Sequence, residues 1–296
     1  MDVSPAAITQ NIANFKSQMI GLLFGSSDDP KGDFLSALQS QQSAAKNEPP
    51  DISSLLTQSG KTNDRSANGR KLSLFDPESA FKMMTTINNR DVLHKAEFSE
   101  MSKMSGDVEH MEAVGQHLNG ITLSTPNSDI QAQLQSFAAE YNNLVQRFKP
   151  SVQNGGMLEG VQAAEISLYE LEQSVKYKFF GAKDGLHGLG DLGITIDPHT
   201  KLATLDSAKL DAVLARDKQA AVNTVQEFSA NFAKSADLLN SDGNFIPNRL
   251  DNLSRAIHYI ADHKDSLQAE FGLGDPAKPS KQVAQALAAY KQICGS

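Results

Sequence analysis

The chain has 296 residues, 40% of them hydrophobic and 21% charged, a balance that fits a globular protein with polar segments. Its formal net charge of −8 gives no electrostatic footprint for DNA or RNA, and its one cysteine, Cys294, excludes an intramolecular disulfide framework and a cysteine-built zinc site. No run approaches the roughly 18 apolar residues of a membrane span, and Asp2 stands where a signal peptide would carry its basic region, so composition alone points to the cytoplasm.

Residues 1–24 read as one helix, with Ile8, Ile12, Phe15, Met19, Leu22 and Leu23 near one stripe. An N-terminal helical segment over 1–38 is expected. From about Gln39 to Arg70 the chain turns to Ser, Gln, Asn, Lys and Gly around Pro49-Pro50. That composition buries little apolar surface, so 39–75 is expected to be a disordered linker. Gly60-Lys61-Thr62 lacks the preceding glycine of a phosphate loop.

Asp76-Pro77-Glu78 is a helix start, with a cap, a proline at the first position and an acid in the first turn. The pattern runs to about Asn119-Gly120, which would span roughly 60 Å. Phe81, Met84 and Ile87 open its stripe, and Met101, Met104, Val108, Met111, Gly115 and Leu118 follow at threes and fours as a heptad seam. The phase slips between Ile87 and Phe98. Ile121-Leu123 reads as a short strand, and Ser128-x-x-Gln131 as a capping box for a helix ending at Lys149-Pro150. Ile130, Leu134, Phe137, Tyr141, Leu144 and Phe148 fall on one face of it. A further helix over about 160–180 sets Ala164, Leu168, Leu171, Val175 and Phe179 on a seam.

A glycine-rich connection at 181–190 leads to a hairpin. Its GLHGLG stretch has neither the spacing nor the strand-helix context of a dinucleotide loop. Ile194-Thr195-Ile196 suits a strand, Asp197-Pro198-His199-Thr200 is turn chemistry, and Leu202 to Leu205 returns as the second strand. Asp206 then caps a helix carrying Leu210, Val213 and Leu214, and Asp217 starts the next, with Val222, Val225 and Phe228. Pro247 opens the clearest amphipathic helix, through Leu250, Leu253, Ile257, Ile260, Lys264, Leu267 and Phe271. Gly272 to Pro279 breaks it, and Val283, Leu287, Tyr290 and Ile293 mark a short last helix within 272–296. The fold expected is mainly α, an elongated bundle of long amphipathic helices with a small β-hairpin, its helical domain spanning 76–271.

No catalytic constellation emerges. His110 and His117 lie two turns apart, His258 and His263 have an awkward spacing for one ion, and neither HExxH nor GxSxG occurs. The expectation is a non-enzyme with no metal and no cofactor.

Two motifs carry a family resemblance. Phe137, Tyr141, Asn142, Leu144 and Val145 form an F-x-x-x-YN-x-LV helix, followed by Gly155-Gly156-Met157-Leu158. Leu189, Leu192-Gly193-Ile194-Thr195, Asp197, Leu202, Leu205-Asp206 and Leu210 form the succession LxxLGIT, turn, L, LD, xxxL. Together they resemble the C-terminal region of the flagellar filament-capping protein family, hook-associated protein 2, over about 120–271. The family's turn carries a glycine where this chain has Thr200, and its large β-rich insertion is not visible. The resemblance implies Phe137, Tyr141, Asn142, Leu144, Gly193, Ile194, Leu205, Asp206 and Leu210 as structural residues. It also implies a self-associating protein of the bacterial flagellum, exported without a cleaved signal, that assists flagellin assembly at the tip or mediates adhesion. Its partners would be its own copies and flagellin or hook-associated proteins. The alternative is a cytoplasmic helical binding module, such as a secretion chaperone or regulator.

Overall fold

Helix α1 begins at Pro77 because Asp76 caps it: the Ser79 N–H donates to the Asp76 carboxylate at 3.0 Å, and proline has no N–H to leave unpaired. Hydrogen bonds from the Ser79 side chain and backbone hold the Asp76 carboxyl below its usual pKa. The computed structural model describes residues 66–74, 76–178 and 185–295. The helix expected over 1–24, the segment 1–38 and the linker as far as residue 65 lie outside these residues.

The elements are α1 (Pro77–His117), a 3-10 turn (Leu118–Gly120), α2 (Asn127–Val152), α3 (Gln162–Lys176), β1 (Ile194–Ile196), β2 (Ala203–Leu205), α4 (Ser207–Arg216), α5 (Lys218–Asn240), α6 (Phe245–Asp262), α7 (Lys264–Phe271) and α8 (Lys281–Cys294). The architecture is mainly α with one antiparallel hairpin, as periodicity and turn chemistry predict. Contacts divide the chain into two units, and the division falls inside α1 and α6.

The larger unit comprises 91–258 and 278–295. The seam of α1 is buried at Met101, Met104, Val108 and Met111, and Leu118 of the 3-10 turn continues it. Gly115 completes it: a Cβ there would meet the Phe232 ring at 2.5 Å, so the glycine lets α5 approach. The expected α2 face is buried at Ile130, Leu134, Phe137, Tyr141, Leu144 and Phe148. Phe137 makes edge contacts with Phe228 and Phe232 of α5, with centroids 5.2 and 5.1 Å apart, the geometry that aromatic quadrupoles favour. Helix α8 buries only Ala286 fully and leaves Ile293 exposed, while Tyr290 meets Phe98 edge-on at 5.7 Å.

The smaller unit comprises 259–277 and, of the described residues, 66–74 and 76–90. Its core is Met84, Ile87 and Ile260, with Met83, Leu267 and Phe271 packed alongside. Polar bonds bind the segment after α7. Asn88 donates to the carbonyls of Leu273 (3.1 Å) and Asp275 (2.9 Å), the Asp275 N–H donates to Thr85 Oγ1 (2.8 Å), and the Leu273 N–H donates to the Gly69 carbonyl (2.9 Å). Gly274 sits at φ 64, where a Cβ would stand 2.5 Å from the Thr85 nitrogen. Arg70 pairs with Glu78 at 2.7 Å and lies over the Phe81 ring, 4.3 Å from its centroid.

Several expected boundaries are corrected. Ile121-Leu123 forms no strand: Leu123 enters a turn closed by the Thr125 N–H on the Thr122 carbonyl. Helix α2 starts after Pro126 with no side-chain cap, because the Ser128 hydroxyl bonds the Asp129 carboxylate instead. It passes through Pro150 to Val152, since a proline in the last turn disturbs only one preceding carbonyl. Helix α3 ends at Lys176, short of the expected 180. The amphipathic stretch expected as one helix from Pro247 is two, α6 from Phe245 and α7 from Lys264, parted at His263 with φ −103 and ψ 9. Asn244 takes the Phe245 N–H at 2.8 Å and so moves the start upstream of the proline.

Candidate functional site

The residues singled out by the two motifs meet where α2 runs beside the hairpin, in the larger unit. Local chemistry builds the hairpin first. The Asp197 carboxylate accepts from the N–H groups of His199 (2.9 Å) and Thr200 (2.6 Å) and from the Thr200 hydroxyl (2.9 Å). These bonds, Thr200's backbone first, hold its pKa below the usual carboxylate value. The Asp197 N–H closes the loop on the Leu202 carbonyl at 2.9 Å, and Ile194 pairs with Leu205 across the strands. Turn chemistry sets the loop of this ribbon.

The left-handed position of the loop is Lys201, at φ 66. A lysine there carries a conformational cost that glycine would avoid. Its ammonium reaches the buried Glu172 of α3 at 3.2 Å, and Glu172 also accepts from Lys176. Burial pushes the Glu172 carboxyl up, but the hydrogen bonds from Lys176 and Lys201 outweigh it, and the net pKa lies below the ordinary value. An ion pair thus ties the hairpin loop to α3.

Helix α2 holds the other side. Asn142 donates from Nδ2 to the Ala203 carbonyl (2.9 Å) and accepts the Ala203 N–H at Oδ1 (2.7 Å). Its side-chain amide pairs with the edge of β2 as a neighbouring strand would, satisfying both backbone groups of a half-buried edge. Two turns on, the Lys149 ammonium donates to the carbonyls of His199 (2.7 Å) and Thr200 (3.1 Å). At the other end Gln131 donates to the Ser207 hydroxyl at 3.1 Å. Three side chains of one helix therefore clasp the hairpin loop, its strand and the start of α4.

The remaining motif residues form the base of this clasp. Phe137, Tyr141, Leu144, Ile194 and Leu210 are buried, and Leu205 is half-buried against the same core. Gly193 has φ 99, and a Cβ there would stand 2.6 Å from the Asp206 carbonyl. Asp206 caps α4 by accepting the Lys209 N–H at 3.0 Å, and its own N–H donates to Gly193. Tyr141 is buried with no partner for its hydroxyl among the described residues. Burial, with the nearby Glu172 charge, pushes its phenol far above the usual value.

Sequence reading missed Lys149, Glu172 and Lys201. Glu172 gave one signal, a carboxylate next to Leu171 on the apolar seam of α3; the two lysines gave none. A shallow, mainly apolar groove between α1 and α2 is lined by Ala113, Val114, Leu118, Ala132, Ser136 and Phe137. Among the described residues no group of three or more His, Cys, Asp or Glu is placed to hold a metal ion, and no helix is long and apolar enough to cross a membrane.

A helical framework domain with a clasped hairpin is what these contacts define. The family model for the C-terminus of flagellar hook-associated protein 2 matches residues 110–272, more than half of the chain, and the chain belongs to that family. A crystal structure of the flagellar cap protein FliD D1-D2-D3 domains from Escherichia coli is similar at 18% identity, over 49% of this chain and 37% of that one, with a TM-score of 0.29. No curated protein matches the chain.

Proposed function

We propose that this protein is a structural, non-enzymatic component of the bacterial flagellum, a subunit of the filament cap that assists flagellin assembly at the tip. Membership of the hook-associated protein 2 family over residues 110–272 is the observation that carries this reading. The clasp is in keeping with it, since Gln131, Asn142 and Lys149 brace a framework. In this reading the protein is exported, sits outside the cell on the flagellum, associates with its own copies and contacts flagellin or hook-associated proteins. The half-covered apolar residues of α8, Val283, Leu287 and Tyr290, beside the exposed Ile293, are in keeping with association. Adhesion is a secondary role of the same tip position.

Light scattering after gel filtration, joined to electron microscopy of a deletion strain, tests the proposal. A discrete ring-forming multimer and a loss of assembled filaments are expected. Normal filaments in the deletion strain, with the protein retained inside the cell, would overturn it in favour of a cytoplasmic binding module.

A further inference from the structure

The chain contains three Asn-Gly pairs, Asn68-Gly69, Asn119-Gly120 and Asn154-Gly155, and the structure treats them differently. Such a pair can close on itself: the glycine nitrogen attacks the asparagine side-chain carbonyl, because a residue without a Cβ leaves that approach open. Ring closure needs the glycine amide to lose its proton and the backbone between the two residues to rotate.

At Asn68 the rotation is opposed on both sides. Gly69 is buried, its N–H donates to the Ser66 carbonyl at 2.8 Å, and its carbonyl accepts from Leu273. Asn119 lies in the 3-10 turn Leu118–Gly120, anchored before and after by the fully buried Leu118 and Ile121. Asn154 and Gly155 are exposed in the centre of a turn closed by one bond, from the Gly156 N–H to the Gln153 carbonyl at 2.8 Å. Here alone of the three the glycine N–H donates to a carboxylate, Glu159 Oε2, at 2.8 Å.

We propose that Asn154-Gly155 is a site of spontaneous deamidation, with Glu159 as the base that takes the proton of the attacking Gly155 amide. The new bond joins the Gly155 nitrogen to the Asn154 side-chain carbon. The bond that breaks is to the side-chain nitrogen, which leaves as ammonia with the proton returned from Glu159. Water then opens the cyclic imide at either carbonyl, giving aspartate or isoaspartate. The product sets a second carboxylate beside Glu159, and like charges in contact weaken the bond from Glu159 to Gly155. The link between α2 and α3 is thereby loosened outside its buried anchor, Leu158.

The test ages the folded full-length protein at mildly alkaline pH and follows peptides by mass spectrometry, with isoaspartyl methyltransferase labelling of the products. Asn154 is expected to gain one dalton well ahead of Asn68 and Asn119, and Glu159→Gln to slow it several-fold without changing the melting temperature. In denaturant the three pairs should converge on one rate, because the structural differences are gone. Equal rates for the three sites in the folded protein, or an unchanged rate in Glu159→Gln, would overturn the proposal.

Discussion

The two units are held by different means. The larger has an extensive core in which α1, α2 and α5 interlock around Phe137, Phe228 and Phe232, with a polar clasp added at the hairpin. Among its described residues the smaller buries Met84, Ile87 and Ile260 as a cluster and binds its segment 272–277 largely through backbone carbonyls and amides. Apolar burial scales with the surface enclosed, so a cluster of three buried side chains contributes less than the core around Phe137. Specific hydrogen bonds and a glycine that allows close approach take its place. One unit should therefore respond to lost volume and the other to lost geometry.

The largest expected effect is Phe137→Ala, which empties the centre of the aromatic group and should cost about 3–5 kcal/mol, read as a fall in melting temperature. Gly274→Ala should act on the smaller unit. The added Cβ meets the Thr85 backbone at a positive φ, and a cost above about 1 kcal/mol is expected. Amide exchange at Leu273 and Asp275 should rise while Phe137 and its neighbours stay protected. Equal loss of protection in both units would break the comparison.

Asn142→Ala leaves the N–H and carbonyl of Ala203 without their partner and should cost about 1–3 kcal/mol, with faster exchange at Ala203. Tyr141→Phe runs the other way. Its hydroxyl is buried without a described partner, so removing the oxygen should leave stability unchanged or slightly raised. A clear loss of stability would show that the hydroxyl is bonded, through a water for instance.

The smallest effect concerns acid. Asp197 and Glu172 both have pKa values held below the unfolded ones, so their contribution is complete above the ordinary carboxylate value of about 4. It is lost as pH falls through the lower folded values. Glu172→Gln should flatten part of that dependence in pH-dependent melting, and an unchanged profile would show that the contacts with Lys176 and Lys201 add nothing.

Much of the fold was legible in the chain because its causes are local. Asp76, Asp206 and Asp217 each accept an N–H three residues ahead, which is a property of short stretches. The hairpin follows from β-branched residues on either side of Asp197-Pro198, and the faces of α1 and α2 follow from spacing. Errors fell where local signals competed. Ser128 could cap a helix or bond its neighbour Asp129, and the amphipathic stripe from Leu250 to Phe271 continues through a backbone that nevertheless parts at His263.

What the amino-acid order determined by itself was therefore the set of elements and the side of each that faces inward, since periodicity and capping act within a few residues. The clasp was decided only in three dimensions. Asn142 meets Ala203 across 61 positions and Lys201 meets Glu172 across 29, and no short-range pattern encodes which backbone edge a side-chain amide will reach. The same holds for Gly193 and Gly274, whose lack of a Cβ matters because Asp206 and Thr85 are brought against them by the packing of the whole.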